Sequence, residues 1–260
     1  FWVATESALE ILDANLREAA SLHGDHRNPY TFQDYSVYCL CQDQEGGIWA
    51  GTYFAGVAYS WGNGTEPVKR YYANPESRGL GHYVREIVSD ADGNLWIGTE
   101  SKSLFHYVPQ SDKIEPVWND RLLSSNIHGL CCDGDFLWVG TYEQTRSLVR
   151  IHRRTLASKS YPSAGKEIYT ICRTSGGELW IGTTSGLKRY DRATDRFVGD
   201  SAIRSHVYHI REDSSGNIWA ATYSDGLYKY DAMKDAWRHY LYAERDTASL
   251  AANKVLSVFE

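Results

Sequence analysis

No run of about 18 apolar residues occurs in the 260-residue chain, so no segment reads as a membrane-spanning helix. An excess of basic charge is also missing. The chain has 27 Lys and Arg against 33 Asp and Glu, a net charge of -6, whereas a surface that tracks phosphates needs a basic patch. Nucleic acid is therefore not expected as a partner, nor is membrane contact. Helical periodicity is absent apart from a weak trace at 15–22, which reads as an irregular outer strand and loop. Nucleotide loops, Ser/His/Asp spacings and paired carboxylates are missing too, and the sequence assigns no catalytic residue, cofactor or metal. That absence weighs little, because repeat folds assemble catalytic groups from distant repeats. With 42% hydrophobic and 23% charged residues, the composition is that of a globular chain, far from disorder.

What the chain does contain is one phrase six times: FWVAT at 1–5, GGIWAGT at 46–52, GNLWIGT at 93–99, FLWVGT at 136–141, GELWIGT at 177–183 and GNIWAAT at 216–222. The tryptophans Trp2, Trp49, Trp96, Trp138, Trp180 and Trp219 lie 47, 47, 42, 42 and 39 residues apart, a period that holds four short strands. Each unit opens with an apolar strand, as at 84–88, 168–172 and 207–211. A polar turn comes next, such as Asp90-Ala91-Asp92-Gly93-Asn94, whose residue types tolerate left-handed backbone and bond their own main chain. The Trp strand is apolar on both faces, which predicts a strand sandwiched between neighbouring sheets. Two residues past the Trp stands Gly51, Gly98, Gly140 or Gly182, with Ala4 and Ala221 in the other copies; an aromatic ring or backbone is expected to approach closely there. A third strand ending in Tyr-Asp, as at 186–191 and 226–231, and a more polar fourth complete the unit.

Four antiparallel strands per repeat make a propeller blade. The expected fold is an all-β propeller of five complete blades and two complementary part-blades, forming one domain over 1–260. The part-blades at 1–13 and 253–260 either unite to close a six-bladed ring or belong to a larger, seven-bladed ring. Both ends fall inside a repeat, so the chain reads as an excerpt from a longer protein. Cys41, Cys131 and Cys172 hold one first-strand position in three repeats, too far apart for a disulfide, and are expected to be buried unpaired thiols. Cys39 with Cys41 lacks the second ligand pair that zinc needs, His23 and His26 read as a solvated loop, and Asn63-Gly64 reads as a hairpin turn.

The phrase G-N-L-W-I-G-T followed by G-L-x-x-Y-D resembles the regulator propeller repeat of the sensor region of hybrid two-component kinases, over essentially the whole chain. The resemblance implies a periplasmic location, oligosaccharide sensing, control of polysaccharide-utilisation genes, and partners in the remaining sensor domains of the same chain, with a homodimer allowed. The immunoglobulin-like module, membrane helix and kinase motifs of that plan do not occur in this sequence.

Loops alternate ends in a four-stranded blade, so the blade connections and the hairpin after the Trp strand share one face. That face holds the candidate ligand-binding residues Tyr53, Phe54, Tyr83, Arg85, His128, Tyr142, Tyr169, Tyr208, His209 and Tyr223, and also Tyr35, His82, Arg146 and His206. Rings with Arg and His suit a sugar, which offers an apolar face and hydroxyls, although many of the tyrosines equally suit a packed channel wall. The leading reading is an oligosaccharide-sensing domain without chemistry of its own. The alternatives are a propeller lyase using top-face His and a divalent ion, and a protein-docking propeller.

Overall fold

Each Trp phrase forms the second strand of a short antiparallel meander. The computed structural model describes residues 1–5, 8–23, 36–53, 55–61, 69–71, 83–100, 104–117, 126–143, 147–246 and 249–258. A three-stranded sheet holds β1 (Trp2–Ala4), β2 (Leu9–Leu12) and β3 (Glu18–Leu22). Five four-stranded sheets come after it. The first has β4 (Val37–Gln42), β5 (Ile48–Thr52), β6 (Val57–Ser60) and β7 (Lys69–Tyr71), and the second β8 (Val84–Ser89), β9 (Leu95–Thr99), β10 (Leu104–Val108) and β11 (Lys113–Pro116). The third has β12 (Ile127–Asp133), β13 (Phe136–Thr141), β14 (Leu148–His152) and β15 (Ser158–Ser160). The fourth has β16 (Ile168–Arg173), β17 (Leu179–Thr183), β18 (Gly186–Asp191) and β19 (Arg196–Gly199), and the fifth β20 (Val207–Glu212), β21 (Ile218–Thr222), β22 (Leu227–Asp231) and β23 (Ala236–Tyr240). Strands pair in chain order throughout, and the chain is an all-β propeller of four-stranded antiparallel blades. Among the described residues no helix is long and apolar enough to cross a membrane.

Two compact units, Phe1–Leu130 and Cys131–Glu260, divide inside β12. In the N-terminal unit, Trp49 and Tyr59 pack against Val84, Ile87, Leu95 and Phe105 of the following blade. In the C-terminal unit, Trp138 packs on Ile168, Leu179 and Ile181, and Trp180 on Val207, Ile210 and Ile218. Each indole thus faces the next sheet, and β5, β9 and β17 are buried at every residue, as the two-sided apolar pattern predicts. Trp219 is only half-buried, since its sheet is succeeded by the segment 253–258, which carries no strand. Val255 N–H nevertheless donates to the Thr222 carbonyl at 2.9 Å, as Val37 N–H does to that of Thr5. The segment therefore takes the place of a first strand beside the fifth four-stranded sheet.

The glycine two residues past the Trp makes room for an aliphatic side chain rather than for a ring, and at Gly182 also for backbone, the Val207 carbonyl, as expected. A Cβ on Gly98 would lie 2.5 Å from Ile127 Cγ2, and Cβ atoms on Gly51, Gly140 and Gly182 would lie 2.7, 2.6 and 2.8 Å from Val84, Ile168 and Val207 methyls. The polar turn has a second task. Asp43, Asp90 and Asp213 accept the indole N–H of Trp49, Trp96 and Trp219 at 2.9, 3.0 and 2.8 Å, while the other carboxylate oxygen caps turn amides. Thr174 replaces that Asp in the fourth four-stranded sheet. Its hydroxyl takes only the Glu178 amide, and the buried Trp180 indole N–H has no partner. None of the five cysteines is in a disulfide, and Cys131 is buried while Cys41 and Cys172 are only half-buried. Those two sit opposite Trp49 and Trp180, near the outer end of the first strand.

Gly98→Ala is expected to cost about 1–3 kcal/mol, because the added methyl meets a β-branched side chain that cannot swing away; an unchanged melting temperature would remove the packing assignment. Thr174→Asp is expected to supply the missing acceptor and raise stability by about 1 kcal/mol, measured by urea unfolding. A destabilised variant would show that the Trp180 N–H is satisfied in another way.

Candidate functional site

The first strand of a blade begins with the aliphatic anchor that fills the preceding glycine notch, and the chain bulges immediately after it. Register shifts occur between Val37 and Cys39, Val84 and Glu86, Ile168 and Thr170, and Val207 and His209. The residues left over are Tyr38, Arg85, Tyr169 and Tyr208, and His128 holds the same place after Ile127. A bulge turns its extra side chain out of the ladder, here toward the end of the sheet where the Trp strand closes with Thr. That Thr is paired with the anchor, as in Val37 with Thr52 and Val84 with Thr99. The next residue is tied down as well: Tyr53, Glu100 and Tyr223 N–H donate to the carbonyls of Ser36, Tyr83 and His206 at 3.1, 2.9 and 3.0 Å.

In the N-terminal unit this end gathers Tyr38, Tyr53 and Tyr83, with ring centroids 5.2 Å apart from Tyr38 to Tyr53 and 4.8 Å from Tyr53 to Tyr83. The Arg85 guanidinium lies 4.8 Å above the Tyr38 ring and pairs with Glu100 at 3.1 Å. His128 Nε2 stands 3.8 Å from the same carboxylate. Burial, with the Arg85 cation, pushes His128 down to about 4, so its imidazole is neutral at pH 7.

In the C-terminal unit the rings form a continuous row. Tyr142 meets Tyr169 edge-on at 5.7 Å, Tyr169 meets His206 at 4.2 Å and Tyr208 at 5.1 Å, and Tyr223 stacks on His206 at 5.7 Å. The Lys254 ammonium sits 4.7 Å over Tyr223 at the end of the row. Tyr142 and Tyr223 remain 43% and 46% exposed, so both ends of the row are open to a ligand. Burial lowers the His206 pKa, against the pull of the Glu167 carboxylate, and raises that of Tyr169. Ser205 Oγ and His206 Nε2 are buried beside these rings with no hydrogen-bond partner. A row of neutral rings with two unsatisfied polar atoms can stack on an apolar face and bond its hydroxyls.

Of the residues expected from sequence, Tyr53, Tyr83, Arg85 and His128 come together in one unit and Tyr142, Tyr169, Tyr208 and Tyr223 in the other. His209 departs: its Nδ1 accepts the Val258 amide at 3.3 Å, which ties it to the C-terminal segment. Phe54, Tyr35, His82 and Arg146 lie outside the described residues, as do His26 and Asn63-Gly64. Tyr38 was missed, although aligning Val37-Tyr38 with Val84-Arg85, Ile168-Tyr169 and Val207-Tyr208 would have found it.

Fold and rim together define a β-propeller whose blade-connecting end carries aromatic rows. Residues 31–54, 79–101, 162–185 and 203–224 match the two component regulator propeller family. Histidine kinase P4 of Formosa agariphila is 23% identical over 228 residues, covering 79% of this chain and 16% of the kinase. The extracellular domain of a hybrid two component system from B. thetaiotaomicron superposes on 100% of this chain and 35% of its own, at 20% identity and a TM-score of 0.86. Virginiamycin B lyase from Staphylococcus aureus aligns over 92% of this chain and 79% of its own, at 12% identity and a TM-score of 0.70. The chain thus spans well under half the length of the kinase and of the two component system domain.

Next to the Arg85 bulge, burial pushes the Glu86 carboxyl up to about 8, against the pull of the Arg85 cation. The folded chain therefore holds a proton that the unfolded chain releases above the ordinary value of 4.5. This contribution to stability is complete below pH 4.5 and is lost as pH rises toward 8. Glu86→Gln is expected to flatten that part of the stability profile, measured as urea midpoints from pH 5 to pH 9. An unchanged slope would place the carboxyl in water.

Proposed function

We propose that this propeller is the periplasmic sensing domain of a two component regulator, which binds an oligosaccharide at its aromatic rim and passes on a change of shape without chemistry of its own. The observation that carries this reading is the row Tyr142, Tyr169, His206, Tyr208 and Tyr223, with the unsatisfied Ser205 and His206 atoms beside it. A pyranose ring presents an apolar face for the rings and hydroxyls for those two atoms. The repeat family and the extracellular relative support a sensor working with the remaining domains of its own chain. The rim group Tyr38, Tyr53, Tyr83 and Arg85 of the N-terminal unit offers a similar surface with a fixed cation.

The lyase reading is supported by likeness of fold and by the rim histidines His128 and His206. Among the described residues, no three His, Cys, Asp or Glu side chains stand together at metal-holding distance.

A glycan array followed by calorimetry on the protein tests the proposal. Tyr208→Ala and Tyr223→Ala are each expected to weaken the selected oligosaccharide by about 1–3 kcal/mol with little change in melting temperature. Ser215→Ala, in a turn at the opposite end of its sheet, is expected to leave affinity unchanged. Loss of affinity through Ser215→Ala alone would overturn the placement of the site, and metal-dependent turnover of the ligand would make the protein an enzyme.

A further inference from the structure

The rim row of the C-terminal unit ends on a ring with two neighbours. Tyr223 stacks on His206 at 5.7 Å and lies under the Lys254 ammonium at 4.7 Å. Lys254 belongs to the segment 253–258, whose hydrogen bonds explain its presence at the rim. Val255 N–H donates to the Thr222 carbonyl as Val37 N–H does to that of Thr5, so Val255 stands where Val37 opens a first strand. The residue before it, Lys254, thus holds the place that Tyr83 holds before Val84 and His206 before Val207. Lys254 is a rim residue, although it lies in no strand.

One short hairpin carries both the ring and the segment. Thr222 and Gly226 close it, since the Gly226 carbonyl accepts the Thr222 amide at 3.1 Å and the Thr222 hydroxyl at 2.8 Å, and Tyr223 follows directly. The same two residues hold the segment: the Thr222 carbonyl accepts the Val255 amide at 2.9 Å, and the Gly226 amide donates to the Asn253 carbonyl at 2.8 Å. Two further bonds complete the attachment. Asn253 Oδ1 accepts the Tyr242 amide at 2.7 Å, and His209 Nδ1 accepts the Val258 amide at 3.3 Å. Burial, then the Arg211 cation, lowers the His209 pKa, which keeps the imidazole neutral at neutral pH and able to accept. A segment held by a few bonds, without a ladder, opens more readily than the strands beside it.

A ligand that stacks on Tyr223 competes with the two groups already there. His206 is half-buried and packs on Tyr169 and Tyr208 as well, whereas the Lys254 side chain is exposed and unbranched. Lys254 is the neighbour that can yield.

We propose that Lys254 and Tyr223 form a latch between the rim and the segment 253–258: a ligand stacked on Tyr223 takes the place of the ammonium, and the segment loosens from its hairpin. This latch rests on the oligosaccharide-binding reading of the rim and adds the element that registers occupancy.

Amide hydrogen exchange of the protein, read at Val255 and Val258, tests the latch, first without ligand. Lys254→Met and Tyr223→Ala are each expected to speed exchange at both amides about two- to fivefold, the range of an exposed cation–ring contact, and the double variant no further. Unchanged exchange in both single variants, or effects that add in the double variant, would overturn the latch. The second arm adds cellotetraose, arabinotetraose and trigalacturonate in turn, with any further glycan that the array selects. Binding is expected to speed the same two amides. Lys254→Met is expected to tighten binding about two- to fivefold, opposite in sign to the effect of Tyr223→Ala. Binding with unchanged exchange, or binding weakened by Lys254→Met, would overturn the latch and leave the rim as the site. Absence of binding by every glycan would overturn both.

Discussion

The structure depends on one contact made again and again: the β-branched side chain that opens a first strand fits into the space left by the glycine of the preceding Trp strand. At Gly98 and Ile127 the fit leaves no room even for a methyl group. The contact sets the distance between neighbouring sheets, and it explains why only Gly or Ala stands after the Trp at that spacing. Burial on both faces of the Trp strand is a consequence, because each sheet is held close to the one before it and the one after it.

The same contact positions the candidate site. Once Val84, Ile168 or Val207 is pinned in its notch and paired opposite a Thr, the ladder beyond takes up an extra residue, as it also does after Val37. The bulge absorbs it and directs its side chain to the end of the sheet. A packing requirement thus produces, in successive blades, a rim position free to vary: Tyr38, Arg85, His128, Tyr169, Tyr208. Since burial keeps the rim imidazoles neutral, the C-terminal row offers stacking surfaces and neutral hydrogen-bonding groups, while Arg85 with Glu100 gives the N-terminal group a fixed charge pair.

The blades differ most in how they satisfy the Trp. Asp43, Asp90 and Asp213 give the indole N–H an acceptor, whereas Trp138 and Trp180 are buried without one and lie beneath an arginine. Repetition of the fold is therefore looser than repetition of the phrase suggests. Shared packing is kept, and the polar groups around it diverge from sheet to sheet.

The amino-acid sequence by itself determined the strand order, the blade as repeating unit, the tight turns and the two-sided burial of Trp49, Trp96, Trp138 and Trp180. Those features come from local spacing: period-two alternation, turn residues, and a phrase returning every forty or so residues. It also placed most rim residues at the correct end, because loop alternation in a meander is a matter of counting strands. Tertiary structure decided the rest. The bulge that turns Tyr38 outward, the aliphatic occupant of the glycine notch, the bond from each turn Asp to its indole and the diversion of His209 to Val258 all join groups that neither period nor spacing relates. Whether a tyrosine packs or stands exposed was likewise not legible: Tyr59 and Tyr107 close around Trp49, while Tyr142 and Tyr223 stand nearly half exposed, and only their neighbours in space set them apart.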